Sequence, residues 1–586
     1  MHRSALLAMT VLLLLFPWST PSAPAQAAAV AGAAPAADQP PAGQIQPPER
    51  RIQSLLEDPA ASRAHWGIAV ATLQGEMIYQ HDAGKFFRPA SNNKIFTTAT
   101  AMALLGPQKT FTTRVFGSYD PATGAVSGDL TLVGGGDANF GADDLPYRSP
   151  ASRPAHPQIR PAASPPPLAD LASLADQVVA QGVKRITGNI VGDDTLYPYQ
   201  PYAESWAQDD QVWGYGAPVS ALTIDNNELK LVVTPLQTLA PEGGSGANAA
   251  SVELEQNVPY YQVDARVWTV PAGAPAQGVE VERLPGSGLL RVFGSLPVGG
   301  PVHIEEVAIA DPAQYAAMVF AAMLRQRGVV IDGQARARHR FSTDAVPYLS
   351  RWLTPDPCDS RMVVAASAES APIADQNTPA PCSCAPAQAP TQALTQIPAD
   401  YGQILASHTS APLAEDVVLT NKVSQNLHAE LFLHNLGRAA PCGDGSTVDG
   451  ERLIRANLEH AGLDPGEFFF FDGSGLSAHD LVTPGATVKF LSYVARQPWF
   501  GQWKASLPDA GEDGTLSERF PNPPVKGRLF AKTGTLGESR ALSGYLDTAG
   551  GRTVIFSIFV DEQPPSGSSA ARNLMDKIVA AIAEDE

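Results

Sequence analysis

Cysteine is scarce in this chain: Cys358, Cys382, Cys384 and Cys442 are the only four among 586 residues. That rules out a disulfide-dense scaffold and allows one or two bridges, whose pairing the sequence leaves open. No His or Cys at a metal-ligand spacing accompanies Cys382 and Cys384, so no metal site is expected, and no motif calls for a cofactor. His428 and His434, six positions apart, fit neither a zinc pair nor a catalytic triad and read as helix-surface residues. Basic residues are outnumbered as well, 40 against 59 acidic, for a net charge of -19. A polyanion needs clustered Lys and Arg, so nucleic acid is excluded as a partner. The chain has no G-x-S-x-G elbow, and "VGGGD" (Val133 to Asp137) lacks the Lys-Ser/Thr that would complete a phosphate loop, so it reads as a turn-rich strand end.

Long apolar runs are missing too, except from Ala5 to Trp18, which is shorter than the ~20 residues of a membrane span. His2 and Arg3 precede it and Ala25-Gln26-Ala27 follow, the pattern of a secretory signal cleaved near Ala27. No Cys is there to take a lipid, so an exported protein without a membrane anchor is expected. Residues 28–50, rich in Ala and Pro, read as a flexible linker.

What remains is long enough for roughly three or four domains. "GIAVATL" (Gly67 to Leu73) and "EMIYQ" (Glu76 to Gln80) read as a hairpin across Gln74-Gly75. "LFAKTGTL" (Leu529 to Leu536), "ALSGYLD" (Ala541 to Asp547) and "TVIFSIFV" (Thr553 to Val560) read as three strands. Leu574, Met575, Ile578, Val579 and Ile582 then give a last helix one apolar face. Strands at both ends with helices beside them imply an α/β domain made from both termini, the middle being an insertion. Within it, "GDLTLVGGG" (Gly128 to Gly136), "VDARVWTV" (Val263 to Val270) and "GLLRVFG" (Gly288 to Gly294) are strand-prone. Asp311-Pro312 caps a helix that ends before Gly328. Two Pro/Ala-rich stretches, about 143–168 and 354–400, read as loops.

Three short motifs carry chemistry. Ser91 and Lys94, in "RPASNNKIFTTATAMALLGP", share one face at the start of a helix that Gly106-Pro107 would stop. Ser424 and Asn426 lie in "NKVSQNLHAELFLHNLG", where Val423, Leu427 and Leu431 mark the apolar face of a helix. Lys532, Thr533 and Gly534 lie in the predicted strand 529–536. A serine hydroxyl is a weak nucleophile until a base takes its proton. Lys94 can be that base only when neutral, which requires burial and a second nearby cation, for which Lys532 is the candidate.

S-x-x-K, S-x-N and K-T-G in this order are the motifs of penicillin-binding proteins and serine β-lactamases. With "GDLTLVGGGD", "ITGNIVGDDTLY", "YGAPVSALTIDNN", "LASHTSAPL", "FDGSGLS" and "AKTGTLGESRALSGYL", the chain resembles, from about residue 67 onward, the class C low-molecular-mass penicillin-binding proteins of the penicillin-binding protein 4 type. These are D-alanyl-D-alanine carboxypeptidases and endopeptidases. The resemblance implies a multidomain α/β fold: a β-lactamase/transpeptidase-like domain from residues 51–115 and 403–586, one inserted β-rich domain from 116–234 and 300–341, another from 235–299, and a Pro/Ala-rich insertion at 342–402. It also implies Ser91 as nucleophile, Lys94 as base, Ser424 as proton relay and Asn426 as a ligand of Lys94 and of the substrate's peptide oxygen. Lys532, Thr533, Gly534 and Thr535 would form the strand that binds the substrate carboxylate, with the Thr535 N–H as second oxyanion donor, and Asp193 would read the amino group of the stem peptide. Partners implied are peptidoglycan stem peptides and, as inhibitors, β-lactams, in the bacterial periplasm. Two departures stand out: a longer Cys-containing stretch before "LASHTSAPL", and Ala478-His479 where a basic residue is usual. The rival readings are a β-lactamase and a catalytically silent β-lactam or peptidoglycan binder.

Overall fold

The structure, a computed structural model, describes residues 48–59, 61–143, 145–149, 168–239, 248–341, 401–441, 443–564 and 568–584. The expected signal, most of the linker, the four cysteines and most of both Pro/Ala-rich stretches lie outside the described residues. The last residues of that linker are helical, because a helix starts at Pro48.

The alternation of apolar residues at the two ends of the chain builds one sheet. His65–Thr72 and Met77–His81 pair as a hairpin, and His65–Thr72 pairs on its other side with Thr553–Asp561, then Ser539–Asp547, then Leu529–Leu536, all antiparallel. Because successive side chains point to opposite faces, Trp66, Ile68, Val70, Leu542, Phe556 and Ile558 meet the C-terminal helix (Ser568–Ala583) through Leu574, Met575 and Ile578. Ala69, Ala71, Ala541, Ile555 and Phe559 face the opposite way, against Ile95, Phe96, Phe432 and Leu491 of helices on the second face. The sheet is thus covered on both sides, and its end strand 529–536 borders the turn that carries Ser91.

Further sheets lie between the chain ends. Gly278–Glu282, Leu289–Pro297 and Gln262–Val270 form one; His303–Ala308, Glu228–Thr234 and Ser251–Glu255 form another. A seven-stranded sheet joins Thr112–Asp120 and Ala125–Val133 to Gln403–Thr409. The pairings correct the expected borders. A border at 115/116 would cut the strand 112–120, and the strand 403–409 belongs to this inserted sheet rather than to the five-stranded one. Ser251–Glu255, assigned to the segment 235–299, pairs with Glu228–Thr234 outside it. The helix Pro312–Gln326 forms as expected, its cap Asp311 accepting from the Gln314 N–H at 2.9 Å.

Two local expectations need correction. Ser424 adopts a left-handed conformation (φ 65) and ends the helix Leu413–Val423; a second helix starts at Asn426 and runs to Ala439. The apolar face is therefore not continuous: Leu427 and Leu431 are buried, but Val423 is 43% exposed. His428 and His434 are buried rather than on a helix surface. His428 bonds Asp416 (2.6 Å) and Asn226 (2.9 Å), and His434 Nδ1–H donates to the Gly445 carbonyl (2.6 Å). Other segments, out of sight of helical periodicity, cover that face.

Candidate active site

The site begins with a strained turn. Ala90 has φ 46, and Ala90–Asn92 is a 3-10 turn that passes into the helix Asn93–Leu104, so Ser91 sits just ahead of the α-helix expected to contain it. Backbone presses on this turn from two sides. A Cβ on Gly534 would stand 2.6 Å from the Pro89 carbonyl oxygen, and one on Gly475 would stand 1.8 Å from that of Ala90. Only glycine lets the strand 529–536 and the loop 472–477 come so near. Asn92, fully buried, fixes the first contact by donating to the Lys532 carbonyl at 2.9 Å. Strain of this kind gathers where a reactive group must be held in place.

The three motifs converge. Lys94 Nζ lies 3.0 Å from Ser91 Oγ, 2.6 Å from Asn426 Oδ1 and 2.8 Å from the Ser474 carbonyl oxygen. Lys532 Nζ donates to Ser424 Oγ at 2.8 Å and to the Thr533 carbonyl at 3.1 Å. Both lysines are fully buried. Burial pushes Lys94 down to about 7, against the charges of Asp472, Glu430 and Asp480, which raise it. Burial, and then the Lys94 charge, hold Lys532 well below the usual lysine range. Burial lowers Lys94 as expected, but the second-cation effect runs the other way: the Lys94 charge lowers Lys532, and Lys532 is not among the causes of the Lys94 shift.

Ser91, Ser424, Asn426, Thr533 and Thr535 open onto a pocket of about 430 Å³. Gly534 turns its backbone to the Ser91 turn. Lys532 is not in the pocket wall; it lies beneath, spending two N–H groups on Ser424 and Thr533, so its direct action is on Ser424 and any pull on a substrate carboxylate is through its charge. Asp193 does not reach the pocket. It is fully buried in the inserted region, accepting from Thr195 (Oγ1 2.6 Å), Tyr401 (2.5 Å) and Arg338 (3.3 Å). The carboxylate that lines the pocket is Asp210, which receives the Tyr215 hydroxyl at 2.9 Å.

Sequence reasoning missed several neighbours. Thr515 joins Thr533 through their hydroxyls at 2.7 Å. The inserted segment 205–215 closes onto the site: the Tyr215 carbonyl accepts from Asn426 Nδ2 (2.8 Å), Trp206 Nε1 donates to Asp472 (2.9 Å), and Ser205 and Ser477 share a hydrogen bond of 2.6 Å. The stretch "FDGSGLS" carries no catalytic motif in the sequence, yet its Ser474 carbonyl is a direct partner of Lys94. Among the described residues no group of three or more His, Cys, Asp or Glu is placed to hold a metal ion, and no helix is long and apolar enough to cross a membrane.

The chain is 30% identical over 509 residues, 84% of its own length and 77% of the relative's, to a D-alanyl-D-alanine carboxypeptidase of Actinomadura sp. (strain R39). It is 24% identical over 494 residues, 83% of each chain, to D-alanyl-D-alanine carboxypeptidase DacB of Haemophilus influenzae. The crystal structure of penicillin binding protein 4 (dacB) from Haemophilus influenzae superposes with a TM-score of 0.68 at 20% identity, covering 91% of this chain and 98% of that one. The same protein has been solved with a β-lactam bound, with a TM-score of 0.63 to this chain over the same coverage. Residues 49–346 and 388–584 match the D-Ala-D-Ala carboxypeptidase 3 (S13) family, to which this chain, similar over most of its length to penicillin binding protein 4, belongs.

Proposed function

We infer that the protein is a serine D-Ala-D-Ala carboxypeptidase of the bacterial cell wall that cleaves acyl-D-Ala-D-Ala stem peptides through an acyl-enzyme on Ser91. The observation that carries this reading is the buried Lys94 amine 3.0 Å from the Ser91 hydroxyl, with a pKa near neutrality. Neutral Lys94 takes the Ser91 proton as Oγ bonds to the carbonyl carbon of the penultimate D-Ala. The oxygen that becomes negative is met by the backbone N–H groups of Ser91 and Thr535. Ser424, held by Lys532, passes a proton to the departing amine, and the C–N bond breaks with release of D-Ala. Water then adds to the acyl ester, and Ser91 leaves with its proton restored.

Thr533 and Thr535 receive the terminal carboxylate, which β-lactams also carry, so β-lactams acylate the same serine and inhibit the enzyme. Asn426 has a second Nδ2–H, beyond the one given to Tyr215, for the peptide oxygen of the substrate. The same acyl-enzyme serves endopeptidase cleavage of a D-Ala to diamino-acid cross-link. Asp210 takes the place first assigned to Asp193 as the carboxylate facing a positively charged substrate group. Substrate in the cell wall and an N-terminal signal pattern go together with export to the periplasm. The test is release of D-Ala from an acyl-D-Ala-D-Ala peptide. Wild type should release it and Ser91→Ala should not; no release by folded wild type, or equal release by both, overturns the reading.

A further inference from the structure

Behind Lys94 lies a carboxylate that touches neither the pocket nor Ser91. Glu430 stands one helical turn beyond Asn426, so both project from the same face of the helix 426–439. It is 1% exposed. Its oxygens accept two successive backbone N–H groups: Oε1 takes Ser474 at 2.8 Å and Gly473 at 3.1 Å, and Oε2 takes Gly473 at 3.1 Å. From the other side, Thr97 Oγ1 donates to the Gly473 carbonyl at 2.7 Å. The Gly473–Ser474 segment is thus gripped twice, and the Ser474 carbonyl it presents accepts from Lys94 at 2.8 Å.

The geometry matters because a neutral amine has two N–H groups and one lone pair. Asn426 Oδ1 and the Ser474 carbonyl occupy both N–H groups. The lone pair is then left for the Ser91 hydroxyl. Without either acceptor the amine is free to rotate and offer Ser91 an N–H, which takes no proton.

We propose that Glu430 is a positioning residue for the base: by holding the Gly473–Ser474 segment it aims the lone pair of neutral Lys94 at Ser91. The proposal rests on the acyl-transfer reading above. It accounts for a carboxyl kept where burial disfavours its charge. Burial and the neighbouring Asp472 push Glu430 up to about 8, and the Gly473 and Ser474 amides pull it back. The titratable groups facing Lys94 are Asp472, Glu430 and Asp480, which raise its pKa when ionised, and Lys532, which is itself held low by the Lys94 charge. Ionised Glu430 favours the Lys94 ammonium and Gln does not, so in Glu430→Gln the titration that frees the amine can move only toward lower pH.

The test is the second-order rate of acylation by a fluorescent penicillin, followed across pH on folded protein. Glu430→Gln keeps the side-chain volume but offers one acceptor oxygen in place of two. It should lower the plateau rate about ten- to a hundredfold, the worth of one charge-assisted hydrogen bond, and move the rising limb of the profile to lower pH. Thr97→Val, a nearly isosteric change that loosens the same segment but keeps the Glu430 charge, should lower the plateau and leave the limb in place. A wild-type plateau and limb in Glu430→Gln overturn the proposal. So does a plateau loss with an unmoved limb, the result of a merely structural role. Should Glu430→Gln fail to fold, a wild-type plateau in Thr97→Val overturns it. Wild type acylated on Ser91 with indifferent variants removes this proposal alone, whereas wild type that takes no penicillin removes the acyl-transfer reading with it.

Discussion

Lys94→Arg separates a base from a mere positive charge. Arg keeps the charge and much of the length of Lys but does not become neutral at any working pH. Burial brings Lys94 from 10.5 to about 7. At neutral pH roughly half of it is then free amine, against well under a thousandth for an ordinary lysine, a gain of roughly a thousandfold in competent base. General base catalysis is typically worth ~10²- to 10⁴-fold, or about 3 to 5 kcal/mol of barrier. Lys94→Arg should lose acylation by that factor while keeping its fold, verified by a melting curve. The sign of the pH dependence follows from the same residue. Protonated Lys94 is inactive, so the wild-type rate should rise as pH climbs through about 7 and level off above. The assay is the fluorescent-penicillin acylation rate of wild type, Lys94→Arg and Ser91→Ala across that interval. A Lys94→Arg rate within a few-fold of wild type, or a wild-type rate flat through pH 7, refutes the assignment.

Two further outcomes follow from the geometry. Ser424 holds a left-handed backbone (φ 65) between the two helices and accepts from buried Lys532 at 2.8 Å, so Ser424→Gly relieves about 1 kcal/mol of strain but costs about 1–3 kcal/mol for the donor left unpaired; turnover should slow with no gain in melting temperature, and a raised melting temperature contradicts this. His434 is held neutral, its pKa lowered by burial to about 4. Between the ordinary value of 6.5 and about 4 the unfolded chain binds a proton that the native state does not, so stability falls as pH drops through that window, by about 3 kcal/mol from this group. Denaturation of His434→Gln should show a shallower loss from pH 6.5 to 4 than wild type; parallel curves would count against it.

The candidate site was legible because its parts are short and local. Ser91 and Lys94 lie one turn apart, Lys532 lies in an alternating strand, and the alternation at both chain ends marks the sheet that joins them. The break at Ser424 was not legible, since no Gly or Pro announces it and the run around Leu427 and Leu431 continues a helical period. Nor was the burial of His428 and His434, which depends on Asn226 and Gly445 arriving from other segments. Asp193 was misplaced because an acidic residue within a resembling segment says nothing of which way it points; its strand turns it toward Arg338 and Tyr401, and Asp210 takes the pocket. The Ser474 carbonyl that meets Lys94, and the Gly473 and Ser474 N–H groups that meet Glu430, are backbone groups, which every sequence has and none displays.

The central claim is that Ser91 is the residue that forms the acyl-enzyme. Intact-mass spectrometry after exposure to benzylpenicillin, followed over hours and mapped by digestion, tests it most directly. The account predicts a mass increase of one penicilloyl group, located on the peptide containing Ser91, that persists over the time course. An adduct on another residue, the absence of any adduct, or an adduct that disappears rapidly as the penicillin is consumed would contradict it, the last by pointing to a β-lactamase.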